Sequence, residues 1–253
     1  MLAQERLPPG GLASYSDRVT ELVDRVKARE RRLLDAATRL FARFGFDKTS
    51  VDDIASAAGV SKGAVYLHWP SKFNLFEAVL IREGLALLEQ VVQRVDADPE
   101  GGTIGSIYRH SIDALGNNPL LLAAYTVDTA VLGEYVRRQE PAVYSQRLLF
   151  GVEFVRRMQA ANLIRPELDP QMVAYGMGVV SFGLLSIGQL SPSLGVPPLG
   201  ALAEMLGDVV ERGFGTGDRH AAAAGKQAFG IVVDETRRLY LERTGSPTNG
   251  EHR

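Results

Sequence analysis

A chain of 253 residues with 45% apolar and 23% charged side chains has the composition of a soluble globular protein and enough length for one large or two small domains. It contains no cysteine, which excludes a disulfide framework and a cysteine-ligated zinc site and fits a reducing compartment. The net charge of −2 hides a split, because residues 25–95 hold twelve Lys and Arg against eight Asp and Glu while the stretches on either side are net acidic. A basic segment within an acidic chain offers one region to a polyanion and withholds the rest.

The N-terminus, MLAQERLPPGG, lacks the apolar core of a secretory signal, and the Pro- and Gly-rich residues up to Tyr15 are expected to be mobile. A helical pattern begins at Ser16 and Asp17 with Val19, Leu22, Val23 and Val26 and resumes at Leu33, Ala37, Leu40, Phe41 and Phe44. The basic residues Arg25, Lys27, Arg29, Arg31 and Arg32 lie between, and either one long helix or two with a hinge near Ala28 fits the spacing.

Residues 51–72, VDDIASAAGVSKGAVYLHWPSK, read as two short helices joined by a tight turn. Ser50 can cap the first, with Asp52 and Asp53 in its electropositive first turn, and Gly59 can end it in the left-handed conformation. Ser61 offers the second cap, Lys62 to Trp69 make two turns, and Pro70 stops them. Ser71 and Lys72 then open a third helix whose N-terminus can hold a phosphate. Helix, glycine turn, helix is the arrangement that reads DNA in the major groove.

Residues 29–78 resemble the DNA-binding domain of the tetracycline-repressor (TetR) family. The resemblance is carried by Ala36-Ala37-Thr38-Arg39-Leu40-Phe41, Phe44-Gly45-Phe46, Thr49-Ser50-Val51, Ile54-Ala55 and Ala58-Gly59-Val60-Ser61-Lys62-Gly63. It continues through Tyr66, His68, Trp69-Pro70-Ser71-Lys72 and Leu75-Phe76. Ala64, Leu67 and Trp69 depart from it, standing where a hydroxyl residue, a polar or aromatic residue and Phe are usual. The resemblance implies an all-α fold with an N-terminal three-helix helix-turn-helix domain and a C-terminal helical ligand-binding and dimerisation domain. The corresponding divisions are an N-terminal extension (1–24), the DNA-binding domain (25–78), a connector helix (79–95), the effector and dimerisation domain (96–245) and a tail (246–253).

On the DNA side, spacing and resemblance together place Lys62 and Gly63 at the major groove, where lysine can donate to guanine and glycine permits close approach. Tyr66 and His68 would touch bases or phosphates, Thr49 and Lys72 would hold the backbone, and Ser50, Ser61, Ala64 and Leu67 complete the candidate surface. Val65 and Trp69 pack inward. The basic cluster on the first helix reads by itself as a solvated face, and the resemblance implies instead that it approaches the DNA backbone.

Downstream, the connector runs helically from Phe73 to Val95, and DADPEGG (96–102) breaks it. Helical segments follow at Thr103–Leu115, Pro119–Arg138, Pro141–Ala161, Pro170–Leu190, Pro198–Phe214 and Ala221–Arg243, several with proline in the first turn. Met172 to Leu190 has no charged residue, but its glycines, serines and Gln189 and the lack of basic flanks favour a buried helix over a membrane span. The resemblance implies a four-helix dimer interface, with Tyr175, Val179, Leu202, Met205, Leu206, Val209 and Val210 as candidates. It also implies a small-molecule sensor, for which Tyr108, Tyr125, Phe154, Met158, Tyr175 and Phe182 would form an apolar lining suited to a hydrophobic effector. The last helix carries Phe229, Val232, Val233, Thr236 and Tyr240 on one face, which suits docking or a swapped arm.

The four histidines are scattered, and no nucleophile elbow, phosphate-binding loop or zinc-protease motif occurs. His110 and Asp113, three apart, could make a ligand pair or a catalytic dyad, but such a pair is more often a local hydrogen bond. The expected protein is therefore a cytoplasmic homodimeric regulator of transcription, without cofactor or metal, most simply a repressor. It would leave a near-palindromic operator when its effector binds. The reading from another class is a helical carrier or enzyme in which the hairpin is only structural.

Overall fold

The computed structural model describes residues 15–138, 151–190, 195 and 197–245. The stretch expected to be mobile before Tyr15, the beginning of the helix expected from Pro141 and the tail from Ser246 lie outside these residues. Within them the elements are helices, joined once by an isolated bridge between Ile164 and Gly215.

The first helix, α1 (Tyr15–Lys48), passes through Ala28 without a hinge and breaks only at Gly45, where φ is 79°. A Cβ there would stand 2.9 Å from the Ala130 carbonyl and 3.1 Å from that of Val131, so both the conformation and the close approach require glycine. Helices α2 (Val51–Ala58), α3 (Lys62–Tyr66) and α4 (Lys72–Ala97) follow. The second helix of the motif is shorter than the two turns expected and ends at Tyr66, with Leu67 as its C-cap. Leu33, Ala37, Phe41, Ile54, Val65, Leu75, Phe76 and Val79 form the core beneath them. Phe41 meets Phe76 edge-on at 4.7 Å between ring centres.

The segment expected as one helix from Pro119 to Arg138 is three: α6 (Pro119–Thr126), α7 (Thr129–Leu132) and α8 (Glu134–Arg138). Val127 adopts φ 56° and Gly133 φ 53°, and Asp128 restarts the chain by accepting the Ala130 N–H at 2.9 Å. Asp47 of α1 in turn accepts the Glu134 N–H at 2.9 Å, a tertiary cap that no local pattern signals. The breaks turn Leu120, Ala124, Leu132 and Tyr135 into the N-terminal core, where Tyr135 lies 4.7 Å from both Phe73 and Phe76. That core therefore draws on residues beyond the break at 96–102.

The second core joins Leu87, Val91 and Val95 of α4 to α5 (Ile104–Gly116), α9 (Val152–Ala160), α10 (Pro170–Leu190), α11 (Leu199–Phe214) and α12 (Ala222–Gly245). Helices α5 and α11 cross at Gly105 and Gly207, where a Cβ on either would run into the other's backbone, and Glu211 accepts the Gly105 N–H at 2.9 Å. The last helix docks on its own chain. Lys226 donates to the Asp96 carbonyl (2.9 Å), Arg237 pairs with Glu89 (2.9 Å), Glu235 pairs with Arg157 (2.8 Å), and Phe229 and Val233 enter the core.

His110 does not pair with Asp113. Its Nε2 lies 3.0 Å from Asp98, while Asp113 takes Arg94 at 2.5 Å. Asp98, the C-cap of α4, also accepts from Ser106 (2.7 Å), Arg109 (2.6 Å) and the Glu100 N–H (3.0 Å). Burial pushes its carboxyl upward, but the hydrogen bonds from Ser106, His110 and Glu100 with the charge of Arg109 outweigh that and hold it at about 2, below the ordinary 3.8. A folded-state value below the unfolded one gives stability that is present above pH 3.8 and lost as pH falls through about 2. Asp98→Asn should therefore lower the thermal midpoint at neutral pH, by about 2–4 °C per kcal/mol lost for a chain of this size. The gap from the parent protein should close between pH 4 and pH 2 in thermal melts; a constant gap would show that ionisation of Asp98 contributes nothing.

Candidate nucleic-acid interface

Three serines start the three helices of the motif. Ser50 accepts the Asp53 N–H at 3.1 Å while the Asp53 carboxylate accepts the Ser50 N–H at 3.0 Å, a complete capping box. The Ser50 hydroxyl and N–H together hold the Asp53 carboxyl below the usual carboxylate range. Ser61 caps α3 through the Ala64 N–H (3.3 Å), and Ser71 caps α4 through the Asn74 N–H (3.1 Å). Gly59 links α2 to α3 at φ 66°. Val65 and Trp69 are buried, as their spacing requires, so α3 is pinned by its inner face.

That leaves Lys62, Gly63, Tyr66 and Leu67 on the outer face of α3, beside the exposed Ser50, Asp52 and Asp53. Ala64 and His68 are half-buried at its edge, the His68 ring 5.3 Å from that of Trp69. Lys62 is not free. Its ammonium pairs with Asp52 at 2.6 Å, and the hydrogen bond and charge of that carboxylate raise its pKa, so it stays protonated. The spacing that puts Asp52 in the first turn of α2 carries no signal of this pairing, which joins residues ten apart and depends on how α3 folds back over α2.

Two residues expected to hold the DNA backbone are committed elsewhere. Thr49 is 2% exposed, and its hydroxyl donates to the Gly45 carbonyl at 2.8 Å, locking the break in α1. It cannot offer that hydroxyl to a phosphate. Lys72 donates to the Phe46 (2.8 Å) and Thr49 (3.1 Å) carbonyls and lies 4.2 Å from the Phe46 ring centre, so it clamps the α1–α2 turn. An ammonium has three N–H groups, so one remains for an anion. Lys72 also borders an open cleft of about 580 Å³ with Asp47, Glu134, Arg137 and Arg138. On α1, Arg25, Lys27, Arg31 and Arg32 are exposed and Arg29 half-buried.

Known proteins share the helix-turn-helix segment and the fold around it. Residues 33–79 match the family described as bacterial regulatory proteins, tetR family. The chain is 41% identical over 164 residues to the HTH-type transcriptional repressor Rv1474c of Mycobacterium tuberculosis, an alignment covering 64% of this chain and 83% of that protein. The chain belongs to the tetR family. Among solved structures it resembles the transcriptional regulator SCO4942 of Streptomyces coelicolor, with TM-score 0.52 and 25% identity, covering 73% of this chain and 97% of that one. It shares its fold with the regulator FadR of Bacillus subtilis in complex with stearoyl-CoA, with TM-score 0.55 and 15% identity, covering 72% and 98%. As a tetR-family protein the chain is a DNA-binding, helix-turn-helix regulator of transcription.

The residues expected to line an effector site divide. Tyr108, Phe154 and Met158 are buried in the second core, with Tyr125 packed against it. The Tyr108 hydroxyl meets Ser181 at 2.9 Å, and the Tyr125 ring lies 6.4 Å from that of Phe182, which is itself partly exposed. Burial pushes the Tyr125 hydroxyl up to about 12, so it stays protonated as a donor. Tyr175, seven residues before Phe182 and so on the same side of α10, is 68% exposed and stands in solvent rather than in the lining. It joins an apolar stripe with Met172, Val179 and Ile187 on α10, beside Met205 and Val209 on α11. Leu202 and Leu206 are half-buried, and Leu206 packs on the core. Val210 is buried in the core and drops out of the candidate interface, because the face of α11 that meets α5 is one residue out of phase with Val209.

Removing Asp52 tests the Lys62 pairing. Asp52→Ala should raise affinity for duplex DNA several-fold at low salt and steepen the dependence of log affinity on log salt by about 0.9. Anisotropy titrations across salt would read this, and weaker binding by the variant would show that Asp52 supports the reading face rather than restraining it.

Proposed function

We propose that this regulator is a repressor that binds a near-palindromic operator as a homodimer and is released by a hydrophobic effector. The observation that carries the proposal is the pairing of two unsatisfied surfaces. One is the pinned outer face of α3, with Lys62, Gly63, Tyr66 and Leu67 exposed. The other is the apolar stripe of α10 and α11, which a monomer would leave in water. Covering that stripe with its own copy gives an isologous interface, and two-fold symmetry sets the paired recognition helices against inverted half-sites. The same pairing explains why only 33% of the residues in Pro170–Ile187, a stretch of α10 apolar enough to cross a membrane, are buried within one chain.

The effector reading rests on Tyr108, Tyr125, Phe154, Met158 and Phe182, an apolar group with few polar atoms. FadR of Bacillus subtilis holds stearoyl-CoA, and a long acyl derivative is the effector class we favour for this chain. A ligand inserted among α5, α6 and α10 would act through α4, and by linkage it must weaken operator binding as much as operator weakens its own binding.

Selection of binding sites from random duplexes should enrich one inverted repeat; a folded, dimeric protein that enriches none would overturn the proposal. Val179→Arg, which places a charge in the apolar stripe, should convert the protein to a monomer by analytical ultracentrifugation. It should also reduce operator affinity more than tenfold at equal protein concentration, as expected when two half-sites are no longer bound together. A variant that remained dimeric would move the interface off α10.

A further inference from the structure

We infer that Leu67 reads the methyl group of a thymine in each operator half-site. The inference rests on the α3 face entering the major groove. Leu67 is 83% exposed, more than any other large apolar side chain among the described residues. Its apolar neighbour on that face is the ring of Tyr66, 45% exposed and ending in a hydroxyl. The exposed apolar residues of α10 and α11 form a stripe fit for another protein surface, whereas Leu67 stands among Lys62, Gly63 and Tyr66 on a face otherwise polar or bare.

Its position is fixed by its neighbours. The Leu67 N–H donates to the Gly63 carbonyl at 3.1 Å, and its φ of −67° and ψ of −27° continue the helical path past Tyr66. Val65 and Trp69, two residues to either side, are buried in the N-terminal core. Gly63 is four residues back and so lies on the same face, and a Cβ built there would meet only the Ser61 hydroxyl, at 4.0 Å. The surface beside Leu67 is therefore recessed, and a base edge can come close to the isobutyl group.

The occupant follows from the chemistry of the groove. Every base-pair edge in the major groove presents hydrogen-bonding groups, and the one apolar feature is the C5-methyl of thymine. A leucine against a cytosine amino group or a guanine carbonyl would strip water from a polar group and return no hydrogen bond, which is penalised. Against a thymine methyl it removes apolar surface from water on both partners. Leu67 thus discriminates by attraction to one base and by the cost of the others.

The test replaces each thymine of the selected operator, one position at a time in both half-sites, with deoxyuridine, which lacks only the C5-methyl. At one position per half-site the parent protein should lose about fourfold in affinity per half-site, the size of burying one methyl group. Leu67→Ala should bind the thymine and deoxyuridine operators equally at that position, and Leu67→Met should restore part of the preference. Leu67 lies on the surface, so circular dichroism should show both variants folded. If no position responds, or Leu67→Ala discriminates as the parent does, the thymine assignment falls while operator binding stands. If the parent selects no sequence at all, the operator reading falls and the assignment with it.

Discussion

The structure depends on one helix belonging to two cores. Leu75, Phe76 and Val79 near the start of α4 are buried among α1, α2 and α3, and Leu87, Val91 and Val95 further along are buried among α5 and the later helices. Neither core can shift along α4 without opening its own packing, which is dense and close to void-free in such interiors. A displacement of the second core therefore reaches the DNA-facing helices through a rigid element rather than a linker.

Two further contacts define how that displacement is transmitted. Tyr135, carried on α8, packs on Phe73 and Phe76, so the segment around α6 to α8 touches the motif directly as well as through α4. Helix α12 lies along the other side of α4, held by Lys226 to Asp96 and Arg237 to Glu89. The connector is braced along its length, and a ligand must bind one arrangement of this frame better than another to move it.

Much of the motif was legible because its signals are local. Ser50 with Asp53, Gly59 and Ser61 each act within a few residues of themselves, and each appears as the spacing indicates. Val65 and Trp69 are buried for the same reason. What could not be read were commitments made across the chain. Nothing near Thr49 announces that its hydroxyl closes the break at Gly45, nor does anything near Lys72 announce that two carbonyls on the far side of α2 hold it. Asp47 capping α8 and Val127 in the left-handed region broke a segment whose apolar pattern read as continuous helix. On α11 the charged residues Glu204, Asp208, Glu211 and Arg212 mark one face, but the apolar arc opposite them is wide and includes both Val209 and Val210, so periodicity alone could not separate Val210, buried in the core, from Val209, exposed to water.

The most direct test of the account is amide hydrogen exchange on the full chain, free and saturated with its selected operator. Exchange should slow in peptides covering Ser50 to Asp53, Ser61 to Leu67 and Ser71 to Asn74, where helix starts and the reading face meet DNA. Protection confined to residues beyond Ile104, or none at saturation, would contradict it.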